Sequence, residues 1–239
     1  MKNNIISYLR KFRRLSRIIL RKDYFTSIDC YVPKKRFGSE NGGWHVAISD
    51  IDANSIVLSF GLGEDISFDH DLIDYFDLKV YGFDPTPKSI KWIKSLVLKK
   101  NFQFREIGIA NFDGTVKFYP PKNPEHVSHT IFSSCSNTDQ YIEVPVENIG
   151  TISQKLNVNT IDIMKMDIEG AEYDVISNLK ITNIRPKQIL VEFHHRFLSD
   201  GVNKTKLAVY QLRSLGYRLF YVSSNGEEYS FIYDPYKKL

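Results

Sequence analysis

Four short apolar runs, set apart by segments with helical spacing, constrain this chain more than any other feature. Ser55–Phe60 (SIVLSF) stops at Gly61 and Lys79–Phe83 (KVYGF) stops at Asp84. Thr160–Ile168 (TIDIMKMDI) runs into an acidic stretch, and Gln188–Phe193 (QILVEF) runs into His194 and His195. Apolar runs of this length without alternation are read as strands buried on both faces, the pattern of a parallel sheet. Helical spacing is found over Ser67–Phe76, Ser89–Lys99, Thr151–Leu156, Ala171–Leu179 and Lys204–Leu215, the last closed by Gly216 as a C-cap. Phe102–Ile109 reads as a further strand, joined through the turn Asn111-Phe112-Asp113-Gly114 to a β-rich Thr115–Tyr119 in an expected hairpin, and Tyr141–Val146 alternates as a strand. Tyr217–Val222 and Tyr229–Tyr233, joined through Ser224-Asn225-Gly226, read as a closing hairpin, which makes the last strand antiparallel. Alternating strands and helices give an α/β fold, a mostly parallel sheet with helices on both faces. Ligands of such sheets bind beyond the carboxyl ends of the strands.

The strand ends therefore carry the chemistry. Gly61-Leu62-Gly63 permits a tight turn and close approach of backbone to a ligand. A dinucleotide fingerprint wants a third glycine, but position 66 is Ile66, and Glu64 and Asp65 put acids where a pyrophosphate would lie. Acids there suit a cofactor with ammonium and sulfonium charges. Asp84 follows Gly63 by 21 residues, the separation expected when one helix intervenes, and its carboxylate suits the ribose hydroxyls of an adenosine. The competing role for Asp84 is to cap the helix that follows Pro85. Asp167, Glu169 and Glu172 gather at one strand end, more carboxylates than a helix start needs. At the next, alternation points Glu192 and His194 to the same side, and an imidazole is suited to proton transfer near neutrality.

Charge is unevenly spread. Residues 1–22 hold eight basic and no acidic side chains, whereas the remaining 217 hold 24 basic and 28 acidic, a net of −4. The basicity thus belongs to one terminal segment, and the domain itself does not read as a nucleic-acid binder. Ile5, Leu9, Phe12, Leu15 and Ile19 share one helical face in that segment, with arginines around the other. No run reaches the ~20 apolar residues of a membrane span, and no signal-peptide pattern is present. Two readings stand: a helix that packs on the domain or a neighbouring subunit, or an interfacial helix on an anionic membrane surface. Cys30 and Cys135 form no disulfide or zinc pattern and fit a reducing compartment. The expectation is a cytoplasmic protein with possible peripheral contact to the inner membrane face through residues 2–22. The organisation expected is a basic helix over 1–22, an extension over 23–54 and one domain over 55–239.

Taken together, Ser59-Phe60-Gly61-Leu62-Gly63-Glu64-Asp65, Phe83-Asp84-Pro85, Lys165-Met166-Asp167-Ile168-Glu169-Gly170-Ala171-Glu172 and Glu192-Phe193-His194 resemble the FkbM-type methyltransferases over roughly residues 38–235. The resemblance implies a Rossmann-like class I methyltransferase fold, with seven strands and an antiparallel last one. It implies S-adenosylmethionine as cofactor and transfer to an oxygen, often of a sugar or natural product. Gly61 and Gly63 would approach the methionine part, Asp84 would hold the ribose, and Ile107–Ile109 would border the adenine; Asp167 is counted with both the cofactor and catalytic residues. The chain departs from the common pattern at Ser59, where many class I enzymes carry an acid, and at Asp65, where many carry a glycine. Glu64 or Asp65 would then take up contact with the amino acid group. The segment Gly38–Trp44 resembles a motif that folds over the cofactor.

Transfer to oxygen calls for a base. The candidate is His194, oriented by Glu192 or Asp167, with a divalent metal held by Asp167, Glu192 and His194 as the alternative. Residues 120–140, a long loop with three prolines, His126 and His129, would wall the acceptor, with His129 a secondary candidate. The rival functions are an NAD-dependent oxidoreductase and a non-catalytic scaffold docked through the basic helix.

Overall fold

The computed structural model describes residues 12–119 and 140–234. Residues 12–19 are helical (α1). There follow β1 (Lys34–Phe37), β2 (Trp44–Ala47), β3 (Ile56–Phe60), α2 (Ser67–Phe76), β4 (Lys79–Phe83), α3 (Pro87–Lys94), β5 (Phe102–Arg105), β6 (Gly108–Ile109) and β7 (Gly114–Phe118). The second half holds β8 (Ile142–Glu147), α4 (Ile149–Leu156), β9 (Ile163–Met166), α5 (Glu172–Thr182), β10 (Gln188–Glu192), α6 (Gly201–Ser214), β11 (Tyr217–Val222) and β12 (Glu228–Tyr233).

Seven strands form one sheet in the order β11-β12-β10-β9-β3-β4-β5. β5, β4, β3, β9 and β10 run parallel, and β12 is antiparallel to both of its neighbours. This is the class I methyltransferase fold. Successive residues of the central strands point to opposite faces and enter different cores. Leu58, Met164 and Ile189 pack with Ile152, Ile176 and Leu212 of α4, α5 and α6. Val57, Ile163 and Leu190 pack with Leu72, Ile73 and Ile93 of α2 and α3. Burial on both faces is why these strands read as unbroken apolar runs.

Two sequence expectations change. Phe102–Ile109 is not one strand: β5 ends at Arg105, and β6 belongs to a separate three-stranded sheet ordered β6-β8-β7. The hairpin expected around Asn111–Gly114 does not form, because β8 lies between β6 and β7 and takes the backbone pairing of both. Asp113 fixes that arrangement by accepting from the Asn148 backbone N (2.8 Å) and the Thr151 hydroxyl (2.7 Å) at the start of α4. The connection between β7 and β8, with His126, His129 and Cys135, lies outside the described residues, as do residues 1–11 of the basic segment.

The stretch 23–54 is built into the domain. Trp44 and Val46 of the β1–β2 hairpin are buried in the α2–α3 core. The Gln188 side chain mimics a strand neighbour, accepting from Ala47 N (2.9 Å) and donating to Ala47 O (2.7 Å). Among the described residues, no helix is long and apolar enough to cross a membrane.

The tightest point of the fold lies where β3 meets β9. Gly61 sits at φ +75°, and a Cβ there would stand 1.7 Å from the Asp167 carbonyl oxygen. Gly63, at φ +58°, has open space where its Cβ would be. Gly63→Ala is expected to lose about 1–2 kcal/mol, the left-handed backbone cost alone. Gly61→Ala adds a backbone collision and should lose more than about 4 kcal/mol, as strain at a special backbone position does. Urea denaturation of the two variants checks the difference.

Candidate functional site

The glycine loop is held by opposite charges. Lys165, in the middle of β9, is buried and donates to Gly61 O (2.5 Å) and Phe60 O (3.3 Å). Asp84, at the end of β4, accepts on Oδ2 from Leu62 N (3.0 Å) and Gly63 N (2.9 Å). Its Oδ1 accepts from the backbone N (2.9 Å) and hydroxyl of Thr86, the residue before α3. The cap expected of Asp84 therefore falls to Thr86, whose side chain makes no capping bond to the helix. The oxygens of Asp84 brace the loop and Thr86, and the residue still lines the cavity above them.

That cleft encloses about 980 Å³ of space, open solvent at its mouth included. It brings together Gly61, Gly63, Asp84, Ile109 and Asp167, which lie far apart in sequence. Phe83, Val116, Phe118 and Val146 give it an apolar wall. Among the described residues its charged lining is Asp84, Asp167, Glu169 and Asp174, with no lysine, arginine or histidine.

Glu64 and Asp65 are not in this lining. Glu64 pairs with Lys88 (3.6 Å). Asp65 turns to the β1–β2 connection, accepting from Ser39 Oγ (2.6 Å), and from Ser67 N (2.9 Å) at the start of α2. The Gly38–Trp44 segment is thereby tied to the loop's outer side, with Gly38 N donating to Asp71 (2.7 Å) and Ser39 N to Ser67 Oγ (2.7 Å).

At the ends of β9 and β10 an imidazole stands among carboxylates. His194 Nδ1 lies 3.4 Å from Glu172 Oε1, and Nε2 lies 3.5 Å from Glu169 Oε2 and 3.6 Å from Asp167 Oδ1. Burial works against its proton, but Glu172, Glu169 and Asp167 together outweigh it and hold the imidazole well above its usual range. The surrounding carboxylates thus favour the protonated imidazole, which opposes its use as a base. Burial, with Asp167 beside it, pushes Glu192 up to about 9. Glu172 is fully buried and structural: it accepts from Gly170 N (2.8 Å) and His194 N (2.9 Å), tying the two strand ends together. Ligand atoms of Asp167, Glu192 and His194 all lie within 4.8 Å of one another.

A second, polar cleft of about 510 Å³ lies beyond β12 and β2, lined in part by Arg36, His45, Tyr221, Asn225 and Glu228. Glu228 is the register partner of Glu192, so the cleft adjoins the carboxylate–imidazole cluster. His45 stacks on Tyr221 at 3.7 Å, and burial, with Arg36 and Lys34 nearby, lowers it to about 4, which leaves it neutral.

Sequence reasoning did not single out Lys165 or Asp69. A lysine inside an apolar parallel strand was a signal, since a buried ammonium demands partners. Asp69 of α2 gave no local sign. It is 1% exposed, and burial drives it up to about 6 against the pull of Lys165 and Ser59. Ser59 occupies the place where an acid was expected, and Asp69 brings a carboxyl to it from the neighbouring helix. Its folded pKa is raised, so its ionisation costs stability as pH rises from about 4 to about 6, and the cost stays constant above. Asp69→Asn should match the parent below about pH 4 and exceed it by up to about 3 kcal/mol above pH 6. Denaturation of both proteins across that range measures the difference.

The sequence pattern of the "Methyltransferase FkbM domain" family matches residues 50–219. A search of curated proteins gives no match. Among solved structures, methyltransferase FkbM from Methylobacillus flagellatus KT superposes with a TM-score of 0.50 at 12% identity, over 78% of this chain and 45% of that one. The chain thus spans less than half the length of that protein. The Methanococcus jannaschii fibrillarin pre-rRNA processing protein gives 0.45 at 13% identity over 78% and 70% of the two chains. Aeropyrum pernix fibrillarin, with natively bound S-adenosyl-L-methionine, gives 0.41 at 8% over 83% and 81%. At such identities the likeness concerns the fold, but the family pattern spans most of the sequence and contains the glycine loop, Asp84, and the Asp167–Glu172 and Glu192–His194 strand ends. The chain belongs to the FkbM methyltransferase family.

Proposed function

We propose that this protein methylates an oxygen of a small hydroxyl-bearing acceptor, such as a sugar, using S-adenosylmethionine. One observation carries the cofactor: a cavity at the carboxyl ends of β3, β4 and β9 whose charged lining, among the described residues, is all acids. Such a wall attracts a cationic cofactor and repels the pyrophosphate of a dinucleotide, which disfavours the oxidoreductase reading. When bound, S-adenosylmethionine supplies an electrophilic methyl group on a sulfonium centre.

In this reading Gly61 and Gly63 let the backbone approach the methionine part, and Asp167 and Glu169 face its charge. Asp84 lies at the ribose end of the cavity, where a ribose hydroxyl would have to share an oxygen that already accepts from the loop or from Thr86, and Ile109 with Phe83 flanks the adenine. We assign the acceptor to the polar cleft, where Tyr221, Asn225, Glu228 and a neutral His45 offer both donors and acceptors to a hydroxyl-rich molecule. Alignment of acceptor and methyl group lowers the barrier by several kcal/mol.

The carboxylates around His194 bear on how the hydroxyl is activated, because they oppose loss of a proton from the imidazole. The convergence of one ligand atom each from Asp167, Glu192 and His194 within 4.8 Å favours a divalent cation at this cluster. A cation held there would acidify a bound hydroxyl directly.

Calorimetry should show saturable S-adenosylmethionine binding, weakened about 10- to 100-fold in Asp84→Ala, which removes acceptors from both the loop and the ribose. Saturable NADH binding with no S-adenosylmethionine binding would overturn the assignment. In methyl-transfer assays against sugar nucleotides and polysaccharide fragments, EDTA should lower the rate at least ~100-fold, with recovery on adding Mg²⁺ or Mn²⁺, and His194→Ala should not recover. Full activity in EDTA would leave the imidazole, not a metal, as the activating group. Full biological activity in both His194→Ala and Glu192→Ala would point to the scaffold.

A further inference from the structure

The basic terminal helix is not used by the cleft chemistry, and its packing is unusual. Seven of the fifteen exposed large apolar side chains among the described residues lie between Phe12 and Tyr31. On α1 itself Phe12 is 71%, Leu15 54% and Ile19 72% exposed. At 100° per residue these three fall within an arc of about 60°. The helix meets the body through another face, where Arg14 donates to Ser223 O (3.1 Å) in the β11–β12 turn and Ile18 is half-buried. Its apolar stripe therefore faces away from the domain, which argues against packing on its own domain.

The placement is held from the body side. Just after α1, Asp23 is buried against His195 Nε2 (2.7 Å) and Arg196 Nε (3.0 Å). Further along, Asp29 pairs with Arg213 (2.7 Å). Exposed Arg13 and Arg17 lie around the opposite, polar side of the helix, Arg21 and Lys22 follow its end, and no acid occurs before Asp23.

We propose that α1 docks this protein on an anionic lipid surface, with Phe12, Leu15 and Ile19 entering the headgroup boundary and the positive charge of the segment drawing it to the negative surface. The apolar stripe supplies burial and the basic polar face supplies longer-range attraction to negative lipids, the two components of interfacial helix binding. A second copy of the chain fits this face less well. Two such helices stripe to stripe would bring together segments that each carry eight positive charges and no negative one. Because Arg14 ties α1 to the turn containing Ser223 and Asn225, which line the polar cleft, docking would bring the rim of that cleft to the lipid surface. The proposal is independent of the reaction assigned to the cleft.

The test uses the full-length chain and co-sedimentation with vesicles of phosphatidylglycerol and phosphatidylcholine, or of phosphatidylcholine alone. The parent should bind the mixed vesicles at least ~10-fold more tightly than the neutral ones, and added salt should weaken that binding. Arg13→Gln with Arg17→Gln should lower the partition coefficient roughly 25-fold, about fivefold per arginine. Phe12→Ser, Leu15→Ser and Ile19→Ser combined should lower it at least ~10-fold. All variants should keep the parent's Tm, since the altered side chains are exposed. Absence of binding to mixed vesicles, equal binding to neutral ones, or undiminished binding by the triple variant would overturn the proposal. So would a dimer in sedimentation velocity that the triple variant converts to monomer, since the stripe would then belong to a second copy.

Discussion

A glycine loop suspended between a buried ammonium and a buried carboxylate is the constraint on which this site depends. Lys165 takes the carbonyls of Phe60 and Gly61 from below, and Asp84 takes the amides of Leu62 and Gly63 from the side. Backbone groups in a turn this tight have no ladder partners, and leaving them unpaired inside the protein would cost about 1–3 kcal/mol each. Charged partners satisfy them with stronger hydrogen bonds than neutral ones. They also fix which way the turn opens, so the cavity above it exists before any ligand arrives.

That arrangement imposes requirements on its surroundings. Lys165 needs compensation, and Asp167 at 4.0 Å contributes it, with Asp65 and Asp69 within electrostatic reach. The close passage of Gly61 over the Asp167 carbonyl locks β3 to β9 and sets the Asp167 side chain at the cavity edge. Glu172 then ties that strand end to His194, so the glycine-loop cavity and the carboxylate–imidazole cluster share a wall.

Much of the architecture was legible because parallel strands buried on both faces must be apolar throughout, and few other structures require that. The parallel sheet and the gathering of Gly61, Gly63, Asp84 and Asp167 followed from strand ends, the antiparallel last strand from the closing hairpin, and Ile109 from the family resemblance. The small sheet did not. β6 is two residues long, and its partner β8 comes from more than 30 residues further along the chain, so no local pattern marks the pairing. Glu64 and Asp65 were read as cofactor contacts from their position in the loop, but the N-terminal hairpin claims Asp65, and Lys88 pairs with Glu64.

The sequence by itself determined the fold class, the family and the stretches of chain that build the site, because each rests on residue type at a fixed spacing. Tertiary structure decided what those residues are able to do. His194 read as a base in the sequence, since an isolated imidazole is half-charged near neutrality; Glu172, Glu169 and Asp167, gathered beside it, favour its protonated form. The apolar stripe of α1 was equally visible, but only the packed structure turned it outward, by giving Arg14 and Asp23 the contacts with the body. Spacing fixes which face a side chain shares, whereas proton affinity and exposure depend on neighbours brought from elsewhere in the chain.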